Sequence, residues 1–135
     1  MAPSDIKPGK LVALHELEAS SPFFKHGSSL RVTGKLQAHS VETGIAIITD
    51  GGVSLKINTK HLTNLSLRID SIYQFIGELQ IQSENDAILQ ARVGRNVDGI
   101  DLNLYYQTMK LRRKFEEEIV RSRTKYWKFS VFFFR

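Results

Sequence analysis

Residues 43–58 read TGIAIITDGGVSLKIN, and the fold is decided here. Residues 43–50 are apolar and β-branched on both faces, the composition of a well-covered strand. Asp50-Gly51-Gly52 is a tight-turn signal. Beyond it Val53, Leu55 and Ile57 alternate with Ser54, Lys56 and Asn58, the period of a half-buried strand. The stretch therefore reads as a β-hairpin.

The same period extends to either side. Before the hairpin, Leu30, Val32, Gly34 and Leu36 alternate with Arg31, Thr33, Lys35 and Gln37. After it, Tyr73, Phe75, Gly77, Leu79 and Ile81 alternate with Gln74, Glu78, Gln80 and Gln82. A polar turn at residues 83–86 leads to a fifth strand with Ala87, Leu89, Ala91 and Val93 inward, and Gln90 and Arg92 outward. Residues 59–67 (TKHLTNLSL) are the only gap long enough for a short helix between strands three and four. Gly94 and Gly99 bracket the exit, and Asp101 is placed to cap a final helix.

Five short strands must close their edges or pair with other chains. The economical solution is a five-stranded Greek-key barrel of the OB-fold order, all-β with helices, followed by a C-terminal helix. Another small β-barrel is the alternative. Gly34 and Gly77 sit mid-strand, where glycine marks a bend or bulge in a barrel wall. The expected division is a leader at 1–28, a barrel at 29–100, an interaction helix at 101–121 and a basic-aromatic tail at 122–135. Within the leader, residues 10–17 (KLVALHEL) suit either a strand or a helix.

The chain has 135 residues, 41% of them hydrophobic and 24% charged, enough for one ordinary core. There is no cysteine, which excludes disulfides, thiolate zinc sites and cysteine nucleophiles. No apolar run resembles a secretory signal or a membrane span, so a soluble intracellular protein without membrane contact is expected. The net charge is +5, but Arg123, Lys125, Lys128 and Arg135 place +4 of it in the tail. A near-neutral body cannot gather a polyanion by long-range field alone.

Residues 101–121 contain no proline or glycine. At roughly 100° per residue, Leu102, Tyr105, Tyr106, Met109 and Val120 gather on one side. Leu104, Thr108, Leu111, Phe115 and Ile119 gather on nearly the opposite side. A helix lying on one barrel buries a single stripe. The second stripe calls for a partner protein or a second copy, unless the leader folds over it or the helix frays.

Catalytic and metal-binding patterns are missing. His15, His26, His39 and His61 stand apart from one another and from acids at metal spacing. No P-loop, GxGxxG or GxSxG motif occurs, and residues 98–101 (DGID) lack the acidic run of a calcium loop. The expectation is a non-enzyme without cofactors or metals. Lys35, Lys56, Arg92 and Arg95 are the candidate contacts to single-stranded nucleic acid, without outward aromatics to stack on the bases. A solvated barrel face is the competing reading of these four.

Six of the 13 aromatic residues fall in the last ten positions, and the amphipathic period does not extend through them. The tail is expected to be a non-homologous end that promotes self-association, with a partner or membrane-surface anchor as the alternative.

Residues 27–34 (GSSLRVTG), 72–80 (IYQFIGELQ), 91–93 (ARV) and 97–102 (VDGIDL) resemble the Ten-one family, the smallest subunit of the telomeric CST complex, in its plant form. The likeness covers about residues 1–118 and stops near Arg121. It implies a single OB-fold that docks on and stabilises the middle subunit, Stn-one, through packed C-terminal helices. It further implies a nuclear, telomeric protein that meets the large CST subunit and DNA polymerase α indirectly and single-stranded telomeric DNA as part of the complex. By position, Phe115 matches an aromatic of the family's interface helix, Leu104 and Leu111 lie on its stripe, and Arg31 matches a strand-one arginine near that interface. Autonomous single-strand binding and a self-associating, client-binding chaperone are the rival functions.

Overall fold

The computed structural model describes residues 9–62, 65–83 and 86–133, with side chains described through Ile119 and at Arg121. It contains strands β1 (Lys10–Leu11), β2 (Ser29–Ser40), β3 (Ile45–Asp50), β4 (Val53–Asn58), β5 (Ile72–Ser83) and β6 (Asp86–Asn96), then helix α1 (Leu102–Phe133). A single 3-10 turn, Leu14–Glu16, follows β1. Residues 10–17 thus supply both a strand and a helical turn. Two compact units result, residues 1–99 and 100–135.

Strands β2 to β6 close into a mixed barrel in the order β2-β3-β4-β6-β5, with β2 and β5 paired to complete the ring. The β4–β6 pair is parallel, Lys56 opposite Ile88, and the β2–β5 pair antiparallel, Leu30 opposite Gly77. This is the closed OB-type barrel that the strand order suggests. The hairpin at its centre turns on Gly51 (φ 58°) and Gly52 (φ 83°), the doubly left-handed pair of a type I′ turn. Along β2 the partner changes near Gly34: residues 29–35 pair with β5 and residues 35–40 with β3.

The inward positions of every barrel strand form one core. Leu30, Val32, Leu36, Ile48, Ile57, Phe75, Leu79 and Leu89 are fully buried, and Val12 and Leu14 from the N-terminal segment join them. The Tyr73 ring is buried beside Phe75, and its hydroxyl is doubly satisfied. It donates to the Ser66 carbonyl (3.0 Å) and accepts from the Arg68 N–H (2.8 Å).

Four sequence expectations are corrected. Among the described residues of 59–67 there is no helix, only a turn at Lys60 and His61. Thr59 donates from both its N–H and its hydroxyl to the Gly44 carbonyl, at 2.7 Å each. At the far end, the Tyr73 hydroxyl holds Ser66 and Arg68. The connection is therefore pinned in an open path, with Leu62, Leu65 and Leu67 packed against the core.

Val93 is not inward but 44% exposed. The β5–β6 register shifts between Ile76 and Gly77, whose partners are Val93 and Ala91. Arg92 is the extra residue of a bulge, which reverses the alternation from Val93 onward.

Thr33 and Gln74 lie on the face opposite the core residues, yet both are buried. They are joined there by a Gln74 Nε2 to Thr33 Oγ1 hydrogen bond of 3.3 Å, which offsets the cost of removing them from water.

Finally, helix α1 does not end near residue 121 but runs to Phe133. Residues 101–133 offer no proline or glycine to stop it. The side chains of Val120 and of the tail aromatics lie outside the described residues, as do residues 1–8 of the leader.

Candidate docking helix and basic barrel face

The docking stripe is set by how α1 begins. Gly99 turns the chain with φ 89°, and the Asp101 carboxylate accepts a 3.2 Å hydrogen bond from the Leu104 N–H. Asp101 is thus the N-cap, and its charge also complements the positive end of the helix dipole. The preceding loop is anchored by Asp98, whose Oδ1 accepts from the Ile72 N–H at 2.7 Å. That backbone hydrogen bond, aided by Asn96, Ser71 and Arg68, holds the Asp98 carboxyl below its ordinary pKa.

From this start, Leu104, Thr108, Leu111, Phe115 and Ile119 follow at spacings of four, three, four and four. They fall within an arc of roughly 80° and span roughly 22 Å of helix. All five are exposed, with Leu111 at 68% and Phe115 at 63%. The Thr108 hydroxyl donates to the Leu104 carbonyl (2.9 Å), so its outer surface is largely the methyl group. On the opposite side Leu102, Tyr105 and Tyr106 are half-buried and Met109 is buried. Four large apolar side chains on one exposed line, Leu104, Leu111, Phe115 and Ile119, are what a protein-docking surface looks like. Arg31, the sixth candidate, belongs to the barrel unit. It is half-buried on β2, with Leu11 and Ile76 as its neighbours across the sheet.

The line is flanked by charges that a search for apolar period passes over. Arg112 and Glu116 lie roughly 60° and 100° to one side of Phe115, and Glu118 and Lys114 at the same angles to the other. Arg112 Nε donates to Glu116 at 3.1 Å along the helix. The signal was available in the sequence: residues 112–118 read RRKFEEE.

The four basic candidates on the barrel do not make one track. Lys56 sits beside Ile88, seven residues along β6 from Arg95, which is roughly 23 Å. Lys56 forms an ion pair with Asp86 at 3.1 Å. Arg92 reaches Glu78 at 3.8 Å and donates to Ser29 Oγ at 3.2 Å. Arg95 donates to Gln74 Oε1 at 3.1 Å, extending the Thr33–Gln74 row across three strands. Lys35, opposite Ile72, is exposed. Two of the four are thus matched by acids and a third is held by an amide. The cleft of about 290 Å³ beside the β2–β3 loop is lined by His39, Val41, Glu42, Gly44, Thr59, Lys60, Leu62, Leu65 and Leu67. It offers mixed charge and no large ring for a base to stack on.

Each structural glycine stands where a side chain or an ordinary backbone angle would not fit. A Cβ on Gly34 would lie 3.1 Å from the Thr49 carbonyl oxygen and 3.2 Å from Ile48 Cβ. One on Gly77 would collide with the Gln90 backbone. Gly99 needs its left-handed φ.

Comparison with known proteins gives a consistent result. Residues 5–119 match a family described as a telomere-capping, CST complex subunit. CST complex subunit TEN1 of Arabidopsis thaliana is 60% identical over 119 residues, covering 87% of this chain and 94% of that protein. CST complex subunit TEN1 of Homo sapiens is 27% identical over 116 residues, covering 83% of this chain and 93% of that one. A crystal structure of the S. pombe Stn1–Ten1 complex shares the fold with a TM-score of 0.66 at 23% identity, over 80% of this chain and 94% of that one.

Proposed function

The chain belongs to the family of telomere-capping CST complex subunits, and on that basis we propose that its immediate task is to bind and stabilise Stn-one through helix α1. The observation that carries this reading is the exposed line of Leu104, Leu111, Phe115 and Ile119 on a capped helix. Burying a leucine or phenylalanine fully is worth roughly 1.5–3 kcal/mol. Three or four such anchors exceed the lower estimates of what association costs in lost freedom. Thr108 permits close helix approach, and Arg31 on β2 supplies a further, charged contact to Stn-one.

The role is one of assembly rather than catalysis, exercised in the nucleus at the telomere. Contact with single-stranded telomeric DNA belongs to the assembled complex. The mixed charge around Lys56, Arg92 and Arg95 supports that assignment. The large CST subunit and DNA polymerase α are reached through Stn-one. Residues 101–121 form the interaction helix in this proposal, residues 29–100 the barrel and residues 1–28 its leader. Residues 122–135 lie beyond the end of the family match.

The test is co-expression with Stn-one followed by size-exclusion chromatography with light scattering. A stable 1:1 complex supports the proposal, and a chain that elutes alone overturns it.

A further inference from the structure

Residues 112–118, RRKFEEE, are antisymmetric in charge about Phe115: three basic residues precede it and three acidic residues follow. From this we infer that the free chain pairs with a second copy of itself. The two α1 helices run antiparallel, with a two-fold axis at Phe115.

Within a single helix the order is the poorer one. A basic residue four positions before an acid gains less than the reverse arrangement, and the Arg112–Glu116 pair at 3.1 Å is exposed on both sides. Between two helices it becomes complementary. On one flank of the apolar line stand Arg112 and Glu116, on the other Lys114 and Glu118. A two-fold axis at Phe115 keeps each flank facing its own copy but reverses the direction along the helix. Arg112 then meets Glu116 of the second copy, and Lys114 meets Glu118 of the second copy. Each pair is offset by two residues, roughly 3 Å along the axis, and these four opposite-charge contacts outnumber the two like-charged ones at the same offset, Glu116 and Lys114 each against its own copy. The apolar positions follow the same symmetry, Leu111 against Ile119 of the second copy and Phe115 against itself.

A parallel pair is opposed by the same charges. It would set Arg112 beside the second copy's Lys114 and Glu116 beside the second copy's Glu118, four like-charged contacts against only two attractive ones between Glu116 and Lys114. The sequence thus selects one orientation, an isologous interface that closes at two copies. The face is the one assigned above to Stn-one, so a chain paired with itself cannot hold Stn-one there.

The experiment uses the isolated full chain in sedimentation equilibrium from low micromolar to hundreds of micromolar. The expected result is a reversible monomer–dimer equilibrium that weakens with salt. Two double variants read the charge pattern, Glu116→Lys with Glu118→Lys, and Arg112→Glu with Lys114→Glu. Alone, each dimerises about tenfold or more weakly than the parent, since every flank contact becomes like-charged. Mixed in equal amounts, they recover a heterodimer. Circular dichroism confirms that both keep the helix. A parent that stays monomeric throughout overturns the inference. So do variants that dimerise as well as the parent, a mixture that fails to recover pairing, or particles larger than a dimer. Because Stn-one takes no part, failure here leaves the assignment of Stn-one binding standing, and the reverse also holds.

Discussion

The carbonyl of Gln90 occupies the space where a Cβ on Gly77 would stand. The two meet beside the bulge at Arg92, where the register shifts and Gly77 faces Ala91. The atoms a Cβ would meet are all backbone, with Gln90 C at 2.7 Å and Ala91 Cα at 2.8 Å. No rotamer change relieves such a clash.

Gly77→Ala is therefore expected to destabilise the barrel by about 2–3 kcal/mol, the upper range for overpacking. For a domain of this size that lowers Tm by roughly 10–20 °C. Thermal unfolding followed by circular dichroism checks it. A melting curve equal to the parent's would contradict the bulged register.

Tyr73→Phe removes the hydroxyl that serves both Ser66 and Arg68. The ring still fills the core, so the loss is confined to two hydrogen bonds of the β4–β5 connection, about 1–3 kcal/mol. Amide hydrogen exchange should show Arg68 losing protection before the core strands do. Uniform loss across the barrel would mean that the connection is not held separately.

The Asp98 carboxylate gives the fold an acid dependence. Its pKa is lowered in the folded chain from the ordinary 3.8, first by the Ile72 N–H. The stabilisation is thus complete above the unfolded carboxyl's pKa and is lost as pH falls through the lowered folded value. Asp98→Ala should lower Tm at neutral pH. The gap between variant and parent should close as the pH drops below the usual carboxylate range. A gap that persists in acid would place the effect elsewhere than on the ionised carboxylate.

The isolated chain should bind single-stranded DNA weakly. Replacing Lys56 and Arg92 together by alanine should change retention on a telomeric oligonucleotide by less than about threefold, because both are already matched by acids. A steep, salt-sensitive loss in an electrophoretic mobility assay would restore the barrel face as a primary DNA site.

Much of this was legible in the sequence, and the departures have physical causes. Alternation located four of the five barrel strands, because one face of each is buried and the period of two is then strict; the strand at residues 43–50 was marked instead by an apolar, β-branched run. It misplaced Val93, since a bulge adds one residue without changing composition. The leucines at 62, 65 and 67 suit a helix or an open path packed on the core, and only the long-range bonds of Thr59 and Tyr73 decide between them. The two-sided helix was visible in residues 101–121, but its length was not. An apolar period can end where a helix continues for want of a proline or glycine to stop it. The flanking charges of the stripe went unread because a hydrophobic pattern carries no sign.

The central claim is that Phe115 anchors the chain to Stn-one, and Phe115→Asp tests it most directly. The variant and the parent are each co-expressed with Stn-one and passed over a sizing column with light scattering, and the melting curve of the variant is recorded alone. Phe115 is exposed in the free chain, so the barrel should melt as in the parent. A charge placed in a desolvated interface should abolish the complex. A folded Phe115→Asp chain that still co-elutes 1:1 with Stn-one would contradict the account.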